Sequence, residues 1–176
     1  AERLREFTIV LRLLAPRLVV TCARGSSANA ASFGKHLIER YTGIPVSAAA
    51  PSIVTLYRQR LNLKGQLFLS ISQSGHSDDL VECATVARKS GAFTVSILND
   101  TDSPLAASSN LVLPMAAGPE LSIAATKTFL GSAGALLCFV ATWARLGAMR
   151  DALDRLPERL ISARQLDWTN LHETLH

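Results

Sequence analysis

From Arg17 onward, short apolar runs alternate with helix-length amphipathic stretches. The runs Leu18–Cys22, Pro45–Ala49, Leu67–Ser72, Phe93–Leu98 and Leu111–Leu113 are predicted as β-strands, several of them leaving into glycine or polar loops. Continuous apolar strands need helices on both faces, so the alternation predicts an α/β fold with a parallel sheet inside a three-layer α/β/α stack. Right-handed crossovers leave few topologies, among them the doubly wound order 2-1-3-4-5.

Of the intervening segments, Asp78–Ser90 carries the clearest helical pattern. Leu80, Val81, Ala84 and Ala87 fall on one face, Ser77 is placed to cap the first turn, Arg88 and Lys89 close the last, and Gly91 follows as a left-handed stop. Ser27–Tyr41 repeats the pattern with Ala30, Phe33, Leu37 and Ile38 apolar and Gly43 behind it. Glu2–Ala15 reads as a helix ending before Pro16. A long helix is expected from Ser122 or Ala125 to about Arg145 with Gly147 as its stop, followed by an amphipathic piece, Met149–Leu166, interrupted at Pro157. The expected organisation is an N-terminal helix over 1–16, one domain over 17–147 and a helical linker over 148–176.

With 48% hydrophobic and 18% charged residues in 176, the chain has the material for one sizeable core, which excludes disorder and a disulfide scaffold. Cys22, Cys83 and Cys138 fit neither a CxxC metal site nor an even-numbered disulfide framework and read as reduced core residues. The apolar run Phe129–Ala144 is broken by Gly131, Ser132 and Gly134 and is shorter than the roughly 20 residues of a bilayer span, so no membrane partner is expected. The charge of +4 is scattered, without aromatic interleaving, and predicts no nucleic-acid partner. No secretory leader opens the sequence, which makes cytoplasm the expected compartment. The chain starts at Ala1 rather than Met and reads as a piece of something longer.

Two loops stand out, Arg24-Gly25-Ser26-Ser27 and Ser72-Gln73-Ser74-Gly75-His76-Ser77, each following a predicted strand and leading into a helix. In the 2-1-3-4-5 order they would leave the first and third strands, where chain direction reverses and ligands bind. Free amides at a helix start, hydroxyls and glycine-permitted backbone approach suit a phosphate. Ser-rich strand exits are also ordinary turns and caps, and capping alone would account for Ser77. Asp78 and Asp79 would repel a phosphate unless both carboxylates face away. A third loop, Ala117 to Lys127, carries Glu120 and Lys127, which either serve as acid, base or ligand contacts or satisfy backbone groups and face solvent. His36, His76, His172 and His176 have no metal-ligand spacing, no Walker or GxGxxG pattern is present, and neither metal nor cofactor is expected.

In order and spacing, Arg24-Gly25-Ser26-Ser27, Ser72-Gln73-Ser74-Gly75 and Gly118-Pro119-Glu120 to Thr126-Lys127 resemble the sugar isomerase (SIS) domain over residues 17–147. The look is that of the isomerase half of glucosamine-6-phosphate synthase and of the SIS-type glucosamine-6-phosphate deaminases. Ala50-Pro51-Ser52, Asn99-Asp100, Ser103-Pro104-Leu105-Ala106 and Asp167-Trp168 look like the latter group, whereas His76 stands where synthases usually have glutamate and Ala125 where they often have serine. The resemblance implies a flavodoxin-like five-stranded sheet. It also implies that Ser26, Ser27, Ser72, Gln73, Ser74 and Ser77 contact a phosphorylated sugar or aminosugar, with Ile123 a backbone contact to the sugar. It further implies a homodimer of chains with two SIS copies, of which this would be the first, its linker leading to the second. The proton-moving glutamate and histidine would lie in that second copy and its tail, so no catalytic residue is assigned within this chain. The implied function is aminosugar-phosphate isomerisation or deamination; a sugar-phosphate-sensing module of a regulator, an isomerising aminotransferase and a purely structural dimerisation domain are the alternatives.

Overall fold

The computed structural model describes the backbone of residues 2–122 and 124–167, and side chains from Phe7 onward. Five strands form one parallel sheet: β1 (Val19–Ala23), β2 (Val46–Ala48), β3 (Leu67–Ser72), β4 (Phe93–Leu98) and β5 (Leu111–Pro114), in the order β2-β1-β3-β4-β5. The expected strands are all present, each within a residue of its boundary at either end.

Successive strand residues feed two cores, as the two-residue period of a pleated strand demands. Val19, Leu67, Leu69, Ile71, Val95 and Ile97 point to one side, where α1 (Glu2–Leu14), α2 (Ser26–Thr42) and α6 (Lys127–Trp143) pack. Val20, Cys22, Phe68 and Leu98 point to the other, under α3 (Pro51–Thr55), α4 (Asp78–Lys89) and α5 (Pro104–Ala107). On the first side Phe7 lies 5.4 Å from Phe93 and 5.7 Å from Phe139, and Arg12 crosses to donate to the Thr142 and Trp143 carbonyls at the end of α6. Gly34 sits so close to Leu136 that a Cβ there would approach its Cδ2 to 2.8 Å, which sets how near α2 and α6 come.

Several helical details differ from expectation. Phe33 lies half-exposed, and Ala31 and Gly34 take its place on the buried face of α2. Ser77 occupies the N-cap position of α4, yet its hydroxyl makes no capping bond. The long helix starts later, at Lys127, and Gly147 does not stop it: Arg145 takes the left-handed turn at φ 57, and Gly147 opens α7 (Gly147–Asp154). The break before α8 (Leu156–Arg164) falls at Arg155, because Pro157 is tolerated in a helix's first turn. Cys22 and Cys83 are buried and free, but Cys138 is exposed on α6 and is no core residue. None of the described helices is long and apolar enough to cross a membrane.

The late start of α6 has a local cause. Glu120 Oε2 accepts hydrogen bonds from the Thr128 amide (3.0 Å), the Thr128 hydroxyl (3.1 Å) and the Thr126 amide (3.0 Å), so a residue ahead of the helix satisfies its first donors. These bonds, chiefly that from the Thr128 amide, hold the Glu120 carboxyl below its ordinary range. A carboxylate with a depressed folded pKa stabilises above its unfolded value and is lost as pH falls through the folded one. In NMR titration the Thr128 amide resonance should therefore move with a midpoint below that of the same glutamate in the unfolded chain; a midpoint at or above it would contradict the clasp. A second expectation concerns Ser70, fully buried on β3 with its hydroxyl unpartnered among the described residues. Ser70→Ala should raise stability by about 1 kcal/mol in urea unfolding, since an unpaired buried hydroxyl costs free energy, and a loss of stability would show that the hydroxyl is satisfied.

Candidate functional site

Because β1 and β3 are neighbours whose following helices, α2 and α4, lie on opposite faces of the sheet, the loops leaving them diverge and open a crevice at their carboxyl ends. The crevice measures about 340 Å³ and is lined by Arg24, Gly25, Ser26, Ser27, Ile71, Ser72, Gln73, Ser74, Ser77, Leu80 and Ala125. Six of the seven residues singled out from the sequence thus meet in one place. The seventh, Ile123, lies outside the described residues. A roomier groove of about 860 Å³ runs beside β5, where Asp102 is the one charged side chain among the described lining residues, which disfavours an anion.

The loop after β3 is built to offer donors. Its carbonyls are engaged within the protein: Gln73 O accepts from the Asn99 and Asp100 amides (both 3.2 Å), Gly75 O from the Leu105 amide (3.1 Å), and Ser74 O from His76 Nδ1 (2.7 Å) in the Nδ1–H tautomer. Ser72 Oγ accepts from the Gly75 amide (3.1 Å) and Ser74 Oγ from the His76 amide (3.3 Å). Each hydroxyl thereby commits a lone pair to the loop and keeps its O–H to give. Ser77, free of the capping role, adds another hydroxyl to the lining.

Gly75 is where the loop is seated. Its φ of +68° is left-handed, and a Cβ there would come within 2.0 Å of Ser103 Oγ. That hydroxyl caps α5, accepting from the Ala106 amide and donating to the Asp100 carbonyl. The short helix α5, not anticipated from the sequence, is therefore the floor under the loop.

The third loop reaches the crevice through Ala125, and Asn99 anchors it to the end of β4 by accepting from the Ala117 amide (3.0 Å) and donating to the Gly118 carbonyl (2.8 Å). Its two charged residues are occupied elsewhere, Glu120 at the start of α6 and Lys127 Nζ donating to the Pro119 carbonyl. Among the described lining residues Arg24 is the one with a charge, and its Nη1 meets Asp79 Oδ2 at 2.9 Å across the mouth, a pair 55 positions apart. Asp78 is exposed and not part of the lining. Arg24 stands within the first sequence motif without a role of its own there, because its spacing from Asp79 offers no signal. No group of three or more possible metal ligands occurs among the described residues.

The SIS domain family model matches residues 13–140. A glutamine–fructose-6-phosphate aminotransferase [isomerizing] of Leifsonia xyli subsp. xyli is 33% identical over 151 residues, 81% of this chain and 24% of that protein. A provisionally assigned phosphosugar isomerase of Silicibacter pomeroyi DSS-3 superposes with a TM-score of 0.91 at 42% identity, over 96% of this chain and 52% of the other. The Vibrio vulnificus NanR protein, solved with ManNAc-6P, shares the fold at a TM-score of 0.70 and 21% identity, over 93% of this chain and 62% of its own. This chain thus spans about a quarter of the curated relative and about half of the Silicibacter structure. With a doubly wound sheet, a hydroxyl-lined crevice at its switch point and a family model covering most of its length, the chain belongs to the SIS domain family.

Proposed function

We propose that this SIS domain binds a phosphorylated sugar or aminosugar in the crevice between β1 and β3. In this reading it is the phosphosugar-holding unit of a homodimeric cytoplasmic enzyme that isomerises or deaminates sugars of the glucosamine 6-phosphate or fructose 6-phosphate type. The observation that carries the reading is the loop after β3: its Gln73, Ser74 and Gly75 carbonyls are taken up within the protein, while the hydroxyl-bearing Ser72 and Ser74 and the adjoining helix start at Ser77 line the crevice. A volume of about 340 Å³ falls at the lower end of ordinary small-ligand sites and suits a hexose phosphate.

The chemistry assigned to this unit is positioning. Ser26 and Ser27 from the start of α2 and Ser72, Gln73, Ser74 and Ser77 from the second loop hold the phosphate and its sugar. Hydrogen bonds to a charged group are worth about 1.5–3 kcal/mol each, so a handful secures the phosphate end. Energy gained there fixes the carbons that react, since binding at a remote group lowers the entropic barrier at the reacting centre. No acid or base is assigned within the chain: Glu120 and Lys127 are committed to their own loop, and His76 Nδ1 is committed to Ser74 O. The groups that move a proton between sugar carbons would come from a second SIS unit.

Ser72→Ala should weaken glucosamine 6-phosphate binding by about 1–3 kcal/mol in calorimetric titration while leaving the unfolding midpoint within a few degrees; an unchanged affinity would count against the grip. Gly75→Ala should abolish binding and lower stability together, because the new Cβ meets Ser103 Oγ and the backbone is left-handed. Retention of full affinity in that variant would show that the loop is not seated on α5.

A further inference from the structure

The Arg24–Asp79 pair presents a puzzle of charge. Asp79 lies in the first turn of α4, where a carboxylate is favoured by the helix dipole, but that turn also borders the crevice. An unopposed carboxylate there would repel any anion entering it. Stability does not explain the pair, because the Arg24 side chain is 67% exposed and exposed ion pairs contribute little. The other charges around Asp79 do not neutralise it: Asp78 is its neighbour in sequence, and Glu82, one turn on, is itself paired with Arg58. Arg24 is therefore the cation that cancels Asp79, and it is also the charged member of the described crevice lining. Its planar guanidinium presents paired N–H donors that match two oxygens of a tetrahedral oxyanion.

Building on the sugar-phosphate reading, we infer that Arg24, restrained at the rim by Asp79, is the residue that selects a doubly charged phosphate over singly charged anions of the same shape. Asp79 holds the guanidinium through its Nη1. When a dianion enters, Arg24 shares its donors between carboxylate and phosphate, and the local balance of one cation against one anion lets the serine donors set the affinity. Asp79 is the competitor in this arrangement and keeps the crevice from retaining every passing anion.

The discriminating measurement is the affinity ratio of glucosamine 6-phosphate to glucosamine 6-sulfate, titrated calorimetrically at about pH 8, above the second phosphate pKa of about 6. The sulfate ester has the same tetrahedral shape and a single charge. Removing the cation raises the cost of the second charge, so Arg24→Ala should lower the ratio by about tenfold. Asp79→Asn should raise the ratio, and the double variant should fall between the two singles. A structural role alone would weaken both ligands alike and leave the ratio fixed. If Ser72→Ala weakens binding but Arg24→Ala leaves the ratio unmoved, or if Asp79→Asn lowers it, this inference is overturned and the sugar-phosphate reading stands. If the unaltered chain binds neither ester, both fall together.

Discussion

The crevice exists because two right-handed crossovers leave adjacent parallel strands in opposite directions. From β1 the chain passes to α2 on one face of the sheet; from β3 it passes to α4 on the other. The strands themselves stay hydrogen-bonded from Val19 opposite Leu67 to Ala23 opposite Ile71, so only the loops beyond their carboxyl ends can part. The opening is consequently as rigid as the sheet beneath it, and both loops face it with the amino ends of their helices.

Rigidity at the sheet is matched by how the loops are fastened. Asn99 at the end of β4 holds the third loop through two backbone groups, and Ser103 at the head of α5 props the second from below. Strands β1, β3 and β4 thus each contribute to the same corner although they are far apart in sequence. The large apolar core under α1, α2 and α6 reaches the crevice through Ile71, and the Gly34–Leu136 contact within it sets how near α2, which carries Ser26 and Ser27, comes to α6.

How much of this could be read beforehand depended on whether a signal was local. Strands β3 and β4 were legible to the residue, because burial on both faces leaves predominantly apolar runs in which only small hydroxyl residues, Ser70, Ser72, Thr94 and Ser96, intervene. The hydroxyl loops were legible too, since each directly follows an apolar strand and leads into a helix, and the order 2-1-3-4-5 that aligns them was among the few topologies the alternation allows. Helices α3 and α5, of five and four residues, were not foreseen: each opens on a proline and is fixed by contacts with α4 rather than by periodicity. The start of α6 was misplaced because its donors are satisfied by Glu120, seven residues ahead of Lys127, rather than by a hydroxyl at the cap. The stop at Gly147 failed because Arg145 accepts a strained left-handed turn two residues earlier. In the site, Arg24 escaped assignment since its meaning lies in Asp79, which no spacing rule connects to it.

The engaged carbonyls of Gln73, Ser74 and Gly75 carry one more implication. The loop's shape is already maintained by bonds to neighbouring segments, so a guest of the proposed kind would cost it little ordering entropy on contact. Association would then be governed by diffusion and field rather than by remodelling. Variation in sugar preference among such domains can proceed by exchanging side chains around an unaltered frame.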